Sequence, residues 1–187
     1  IKEKFERYKF LVEELAEKQS KNIDVDFSGD KVLVEFVHFS NLVNVCIHLF
    51  RNMVDHGIES EDERIEKQKT HRGKIDITFK NEGDYFSIHL SDDGRGIDPK
   101  RIKEKVVEKG IKKEKELEGI KNDDLIDMIF LPGVSTKEKV TDLSGRGIGM
   151  DAVREEVERL GGKGSLDPWG CGGGDLGGPA LLGEVHP

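Results

Sequence analysis

Three short polar segments, set in order and far apart, constrain this chain more than any other feature. They are His48-Leu-Phe-Arg-Asn52-Met-Val-Asp55-His56-Gly57, Asp92-Asp-Gly94-Arg-Gly96 and Ser144-Gly145-Arg-Gly147-Ile-Gly149-Met150. Each alone is a modest signal. Together they hold the parts of a nucleotide site: an amide for a hard metal ion, a carboxylate among glycines for a base, and a bare-backbone loop for phosphates.

The surrounding pattern gives these segments a scaffold. Phe5, Tyr8, Leu11, Val12 and Leu15 recur at steps of three and four, predicting an amphipathic helix over 3–19. Ile23 to Phe27 alternates and meets Ser28-Gly29-Asp30, a strand ending in a turn. A helical period runs from Glu35 to His56 and stops at Gly57. The charged stretch 59–72 is expected to be a surface connection. Alternation over 74–80 and again over 86–90, around Asn81-Glu82-Gly83-Asp84, predicts a hairpin. Pro99 opens a helix to Glu108, residues 109–121 read as mobile, and Asn122 caps a short helix to Phe130, which Pro132-Gly133 ends. A further helix is expected from about Ile148 to Leu160. Residues 168–187, rich in glycine and without period, are expected to be irregular and foreign to the native sequence.

Length suits one domain, at 187 residues. The formal net charge of −8 excludes a general nucleic-acid binder, whose footprint would be a basic patch. Cys46 and Cys171 have no metal-ligand or disulfide spacing, and Cys46 falls in the apolar run Leu42–Ile47 as a small core residue. No signal peptide or membrane span opens the chain, so a reducing cytoplasm is the expected setting, with no membrane contact by this domain. The absence of an initiator Met predicts a piece of a longer protein.

On the first segment His48, Asn52 and either Asp55 or His56 share a helix face. The amide oxygen of Asn52 is hard and neutral, which suits Mg²⁺, an ion that keeps several waters and takes few protein ligands. By itself that helix fits equally a solvated polar stripe with a core histidine. Asp92, directly after a strand, can accept a hydrogen bond from an exocyclic amine, favouring adenine over guanine. Gly94 and Gly96 remove side chains where a base and ribose would approach the backbone; a plain Asp-Gly turn is the alternative. Gly145, Gly147 and Gly149 precede a helix and form a phosphate cradle to which Arg146 adds charge. The spacing is not that of a P-loop. The long charged stretch between the second and third segments suits a lid, with Ser135, Thr136 and Lys137 touching phosphates on closure and Phe130 and Leu131 anchoring its base.

Quoted in full, the segments HLFRNMVDHGIE (48–59), DDGRGID (92–98) and FLPGVSTKEKVTDLSGRGIGM (130–150) resemble the catalytic ATP-binding domain of CheA-type chemotaxis histidine kinases, within the Bergerat-type superfamily that also holds gyrase-type ATPases, Hsp90 and MutL. The likeness covers roughly residues 10–165. It implies an α/β fold, a two-layer sandwich with a mixed, largely antiparallel sheet under helices. It divides the chain into the end of a helical connection from a dimerisation region (1–20), the catalytic domain (21–167) and the tail (168–187).

The resemblance also implies roles. Asn52 ligates Mg²⁺, His48 stands near the γ-phosphate, and these two are the catalytic residues. Arg51, Asp55 and His56 line the nucleotide pocket, and Asp92 contacts the adenine amine. Gly94 and Gly96 shape the pocket, while Ser135–Lys137, Gly145, Arg146, Gly147, Ile148, Gly149 and Met150 form the lid and phosphate loop. The cofactors implied are ATP and Mg²⁺. The implied partners are a separate phosphotransfer domain bearing the acceptor histidine, response regulators downstream, and a receptor and coupling assembly reached through other domains, with dimerisation through helices outside this chain. Gyrase and Hsp90 relatives carry a water-activating Glu in the first segment; the residue four before Asn52 here is His48, and no Glu lies between 48 and 56. Transfer is therefore expected rather than hydrolysis, with an ATP-binding regulatory module and a gyrase-like ATPase as alternatives. One departure stands out: the family's final Gly-x-Gly-Thr turn is not recognisable, since no threonine follows Gly164.

Overall fold

A computed structural model describes residues 1–134, 150–167 and 180–185. Helix α1 (Lys2–Lys18) leads to strand β1 (Ile23–Gly29) and helix α2 (Phe36–Val45), and the first segment follows on α3 (Ile47–Asn52) and the turn Met53–Gly57. The short helix α4 (Glu61–Glu66) precedes the hairpin β2 (Gly73–Asn81) and β3 (Phe86–Asp92). Helices α5 (Pro99–Glu108), α6 (Asn122–Asp127) and α7 (Met150–Arg159), then strands β4 (Lys163–Asp167) and β5 (Ala180–Val185), complete the order.

The five strands form one sheet in the order β1-β2-β3-β5-β4. Of these pairs only β1 and β2 run parallel; the crossover they require is the α2–α4 segment. The expected hairpin is present, with Asn81 opposite Phe86 and Gly83 at φ +85 in its turn. Alternation explains the layering. Ile75, Ile77 and Phe79 on β2, with Phe86, Ile88 and Leu90 on β3, point to the helices and are buried. Lys74 and Asp76 on the other face pair with each other at 2.8 Å. The fold is the expected two-layer sandwich with a mixed, largely antiparallel sheet.

α1 packs into that core. Phe5, Tyr8, Val12 and Ala16 are buried, and the Phe5 ring packs edge-on against Phe79 at 5.6 Å between centroids. Cys46 is buried as expected, and burial pushes its thiol up to about 12.

Four expectations are refined. The helix over 35–56 is interrupted at Cys46, and its last five residues, Met53–Gly57, form a π-helical turn closed by the Ile58 N–H on the Met53 carbonyl at 2.7 Å. Residues 109–121 are mostly exposed but carry a helical turn of their own. A 3-10 turn at Glu114–Leu117 buries Leu117 in a second small core with Ile102, Val106, Leu125, Ile126 and Val134, so the few apolar residues of this charged stretch suffice to hold it. Lys121, not Asn122, occupies the cap of α6. Finally, 180–185 is not irregular: β5 lies between β3 and β4 and bonds to both. Main-chain pairing on two sides needs no side-chain alternation, which is why the sequence pattern missed it. The glycine-rich residues 168–179 lie outside the described residues.

Candidate functional site

The π-helical turn and the loop after β3 face each other across a cavity of about 710 Å³. Asn52, Asp55, His56 and Gly57 line one wall. Asp92 and Gly96 line the opposite wall, and Met150 at the start of α7 reaches in from the third segment. Residues nearly a hundred positions apart thus meet at one place. Apolar lining comes from Leu49, Ile102, Ile129 and Val134. Concave, with apolar lining and convergent polar and charged groups, this is the geometry of a small-molecule site.

The floor is built by backbone contact. The Arg95 N–H donates to the Gly57 carbonyl at 2.9 Å. A Cβ on Gly94 would lie 2.2 Å from the Gly57 oxygen, so only glycine permits this approach. The Asp92 carboxyl is 6% exposed and accepts from the Gly94 N–H at 2.9 Å. Burial pushes it up to about 7, helped by the charges of Asp93 and Glu59 and opposed by the Gly94 bond and Lys69. A carboxylate so placed gains most from a donor that enters the cavity, such as an exocyclic amine.

Under this loop lies a cluster that sequence reasoning missed. Glu59 and Arg64 are each 1% exposed, in a stretch expected to be surface. The Arg64 guanidinium grips the Asp93 carboxylate at 2.6 and 3.2 Å, bonds Glu59 at 3.3 Å and donates to the Thr70 carbonyl at 2.7 Å. Lys69 donates to Glu59 at 3.0 Å and to the carbonyls of Asp93 and Gly94 at 2.9 and 2.8 Å. Burial works to raise the Glu59 carboxyl, but its bonds from Lys67 and Lys69 outweigh that and leave it below its ordinary value. Charge runs usually mark solvated faces, and nothing in hydropathy distinguishes a run that pairs internally.

On the other wall the Asn52 side-chain amide donates to the Met150 sulfur at 3.7 Å, which leaves Oδ1 as its acceptor end. Asp55 is held by Gln19 at 2.7 Å, and Lys21 donates to the Val54 carbonyl at 2.6 Å, tying the π-helical turn to the end of α1. His48 stands one helical turn before Asn52; burial, then the Arg51 charge, lowers its pKa below the ordinary imidazole value.

Residues 40–174 match the family described as histidine kinase-, DNA gyrase B- and HSP90-like ATPase. The chain belongs to this ATPase family. Among curated relatives it is 42% identical over 157 residues to the chemotaxis protein CheA of Halobacterium salinarum, covering 84% of this chain and 24% of the relative. It is also 42% identical over 159 residues to the CheA of Borreliella burgdorferi, covering 84% and 18%. The chain therefore spans about a quarter or less of these relatives' length. In fold it resembles the catalytic domain of the histidine kinase ThkA, with a TM-score of 0.55 at 21% identity over 100% of this chain and 91% of that one. The mycobacterial sensor histidine kinase MprB gives 0.54 at 14% identity, over 98% and 93%.

Within this ATPase domain, the expected site residues divide into three groups. Asn52, Asp55, His56, Asp92, Gly96 and Met150 come together on the cavity, and Gly94 lies behind it as part of the floor. His48 and Arg51 do not line it, and Arg51 is exposed. Ser135, Thr136, Lys137, Gly145, Arg146, Gly147, Ile148 and Gly149 lie outside the described residues. The expected anchor Phe130 is buried, with the Arg154 guanidinium 3.7 Å over its ring. Arg95, Arg101 and Lys105 also line the cavity, cations that the motif reading did not single out. As for Mg²⁺, no cluster of three His, Cys, Asp or Glu able to hold a metal occurs among the described residues. Asn52 offers a hard amide oxygen, which suits an ion that keeps its waters and arrives with phosphates.

Proposed function

We propose that this chain is the ATP-binding catalytic domain of a CheA-type histidine kinase, which passes the γ-phosphoryl group of Mg-ATP to a histidine on a separate phosphotransfer domain. The observation that carries this reading is the meeting of Asn52, Asp92 and Met150 on one cavity, with no glutamate among the described residues that line it. The first glutamate after the segment, Glu59, is buried and bound by Arg64, Lys67 and Lys69, so it is unsuited to activate water.

In this reading Asp92 accepts the adenine amine, and the glycine floor lets the base lie against backbone. Asn52 Oδ1 holds Mg²⁺, which neutralises phosphate charge and is needed all the more in a chain of net charge −8. Arg95, Arg101 and Lys105 add positive charge to the same cavity. The acceptor imidazole nitrogen attacks the γ-phosphorus as the bond to the β-γ bridging oxygen breaks; ADP leaves and the imidazole loses its proton. Positioning and charge neutralisation supply most of the catalysis. His48, one turn from Asn52 though off the cavity wall, is the residue this reading assigns near the γ-phosphate.

Response regulators would take the phosphoryl group onward, and receptor coupling and dimerisation would fall to segments outside this chain. None of the helices among the described residues is long and apolar enough to cross a membrane, and a cytoplasmic setting is part of the proposal. The test mixes the chain with labelled ATP, Mg²⁺ and a cognate phosphotransfer domain. Acid-labile, base-stable label on the acceptor is expected. Binding without transfer to a verified acceptor would instead make the chain a regulatory ATP-binding module, and release of phosphate alone would make it a hydrolase.

A further inference from the structure

We infer that Lys69, held by Glu59 and backed by Arg64, is a positioning residue for adenine recognition: its ammonium clamps the two carbonyls that follow Asp92 and so aims the Asp92 carboxylate into the cavity. The inference rests on the reading that Asp92 receives the base amine.

The geometry is specific. An ammonium has three donors, and those of Lys69 go to Glu59, the Asp93 carbonyl and the Gly94 carbonyl. Two of the three therefore end on the loop that carries the base-reading carboxylate. Arg64 holds the intervening Asp93 side chain by two bonds and its carbonyl by a third. A buried ion cluster is a poor device for stability, since well-packed apolar residues of similar volume do as well or better. It does fix backbone orientation. Glu59 and Asp93 face Arg64, Lys67 and Lys69, and of these three cations Lys69 is the one that acts on the Asp92 carboxylate.

Other charges face Asp92 too. Asp55 and His56 come from the π-helical turn, Lys67 from the end of α4, Arg95 and Asp98 from its own loop, and Arg101 and Lys105 from α5. Of the cluster, Glu59 and Asp93 favour the protonated carboxyl and Lys69 favours the carboxylate.

The test compares binding of ATP and inosine triphosphate, whose 6-oxo group cannot donate, by the intact chain and its Lys69→Met, Glu59→Gln and Asp92→Asn variants across pH. Lys69→Met is expected to weaken ATP by about tenfold while changing inosine triphosphate little, so that base preference collapses. The pH at which ATP affinity is gained should rise in Lys69→Met and fall in Glu59→Gln. A merely structural role would weaken both nucleotides alike and move neither midpoint. Unchanged preference and midpoint in Lys69→Met and Glu59→Gln, with Asp92→Asn losing preference, would overturn the inference alone. Retained preference in Asp92→Asn would overturn the underlying reading as well. Should Lys69→Met fail to fold, Glu59→Gln decides by its midpoint.

Discussion

Gly57 and Gly94 pack backbone to backbone: a Cβ built on Gly94 would stand 2.2 Å from the Gly57 carbonyl oxygen and 2.6 Å from Asp92 Oδ1. The π-helical turn and the loop after β3 are joined at this contact, and Asp92 is held beside it. Gly94→Ala should therefore cost at least about 2 kcal/mol, because the obstacle is backbone and cannot swing aside. Chemical denaturation would measure this, and a loss under about 0.5 kcal/mol would show that the two walls can separate cheaply.

Gly96 makes the opposite case two residues on. It sits at φ +72, and a Cβ added there would meet nothing within 4 Å. Gly96→Ala should cost only the left-handed strain, about 1–2 kcal/mol, and leave the floor intact. The comparison is a thermal melt of both variants, with Gly94→Ala expected to melt lower.

Asp92 makes stability depend on pH in an unusual direction. Its carboxyl is raised from 3.8 to about 7 by burial, so the native state holds a proton that the unfolded chain releases over that interval. Its favourable contribution is complete below pH 3.8, declines as pH rises, and is gone above about 7. Asp92→Asn keeps an acceptor for the Gly94 N–H but has nothing to ionise. It should flatten the pH dependence across this window and raise Tm relative to the parent at pH 8, while weakening ATP binding. A Tm at pH 8 equal to or below that of the parent would count against the buried charge.

Much of this was legible in the sequence, and the parts that were not share a cause. Ile75, Ile77 and Phe79 announced β2 because one face of that strand is buried and the other wet. Asn52 and Asp92 stood out only in combination with the third segment, since alone the first fits a solvated polar stripe and the second a plain Asp-Gly turn. Glu59, Arg64 and Lys69 were invisible: a charge that pairs inside the protein has the same hydropathy as one in water. The π-helical turn at Met53–Gly57 was invisible too, since a change of hydrogen-bond register leaves no periodic mark over five residues. β5 was lost because pairing by main chain on both sides imposes no alternation on Ala180–Val185.

Arg64 holds more of the site together than any residue the motifs named. Arg64→Ala leaves Glu59 and Asp93 without their guanidinium partner, and breaking a buried ion pair from one side costs about 3–5 kcal/mol. Urea denaturation should show a loss of that size, or an unfolded chain. A loss under about 1 kcal/mol would mean that water or Lys67 and Lys69 replace the guanidinium.

Asn52 separates metal use from nucleotide binding. Its side-chain nitrogen donates to the Met150 sulfur, which leaves Oδ1 as the end that would take Mg²⁺ in the proposed site. Asn52→Ala removes that oxygen without touching Asp92 or the glycine floor. ATP should still bind in the absence of Mg²⁺ with near-parent affinity, whereas the gain in affinity on adding Mg²⁺ should vanish. Phosphotransfer should fall by about a hundredfold or more, the scale of a lost electrostatic contact to a transferring phosphoryl group. Isothermal titration with and without the metal, followed by single-turnover transfer, checks both parts. Transfer within a few-fold of the parent would remove Asn52 from the metal site and place the ligand elsewhere on the cavity wall.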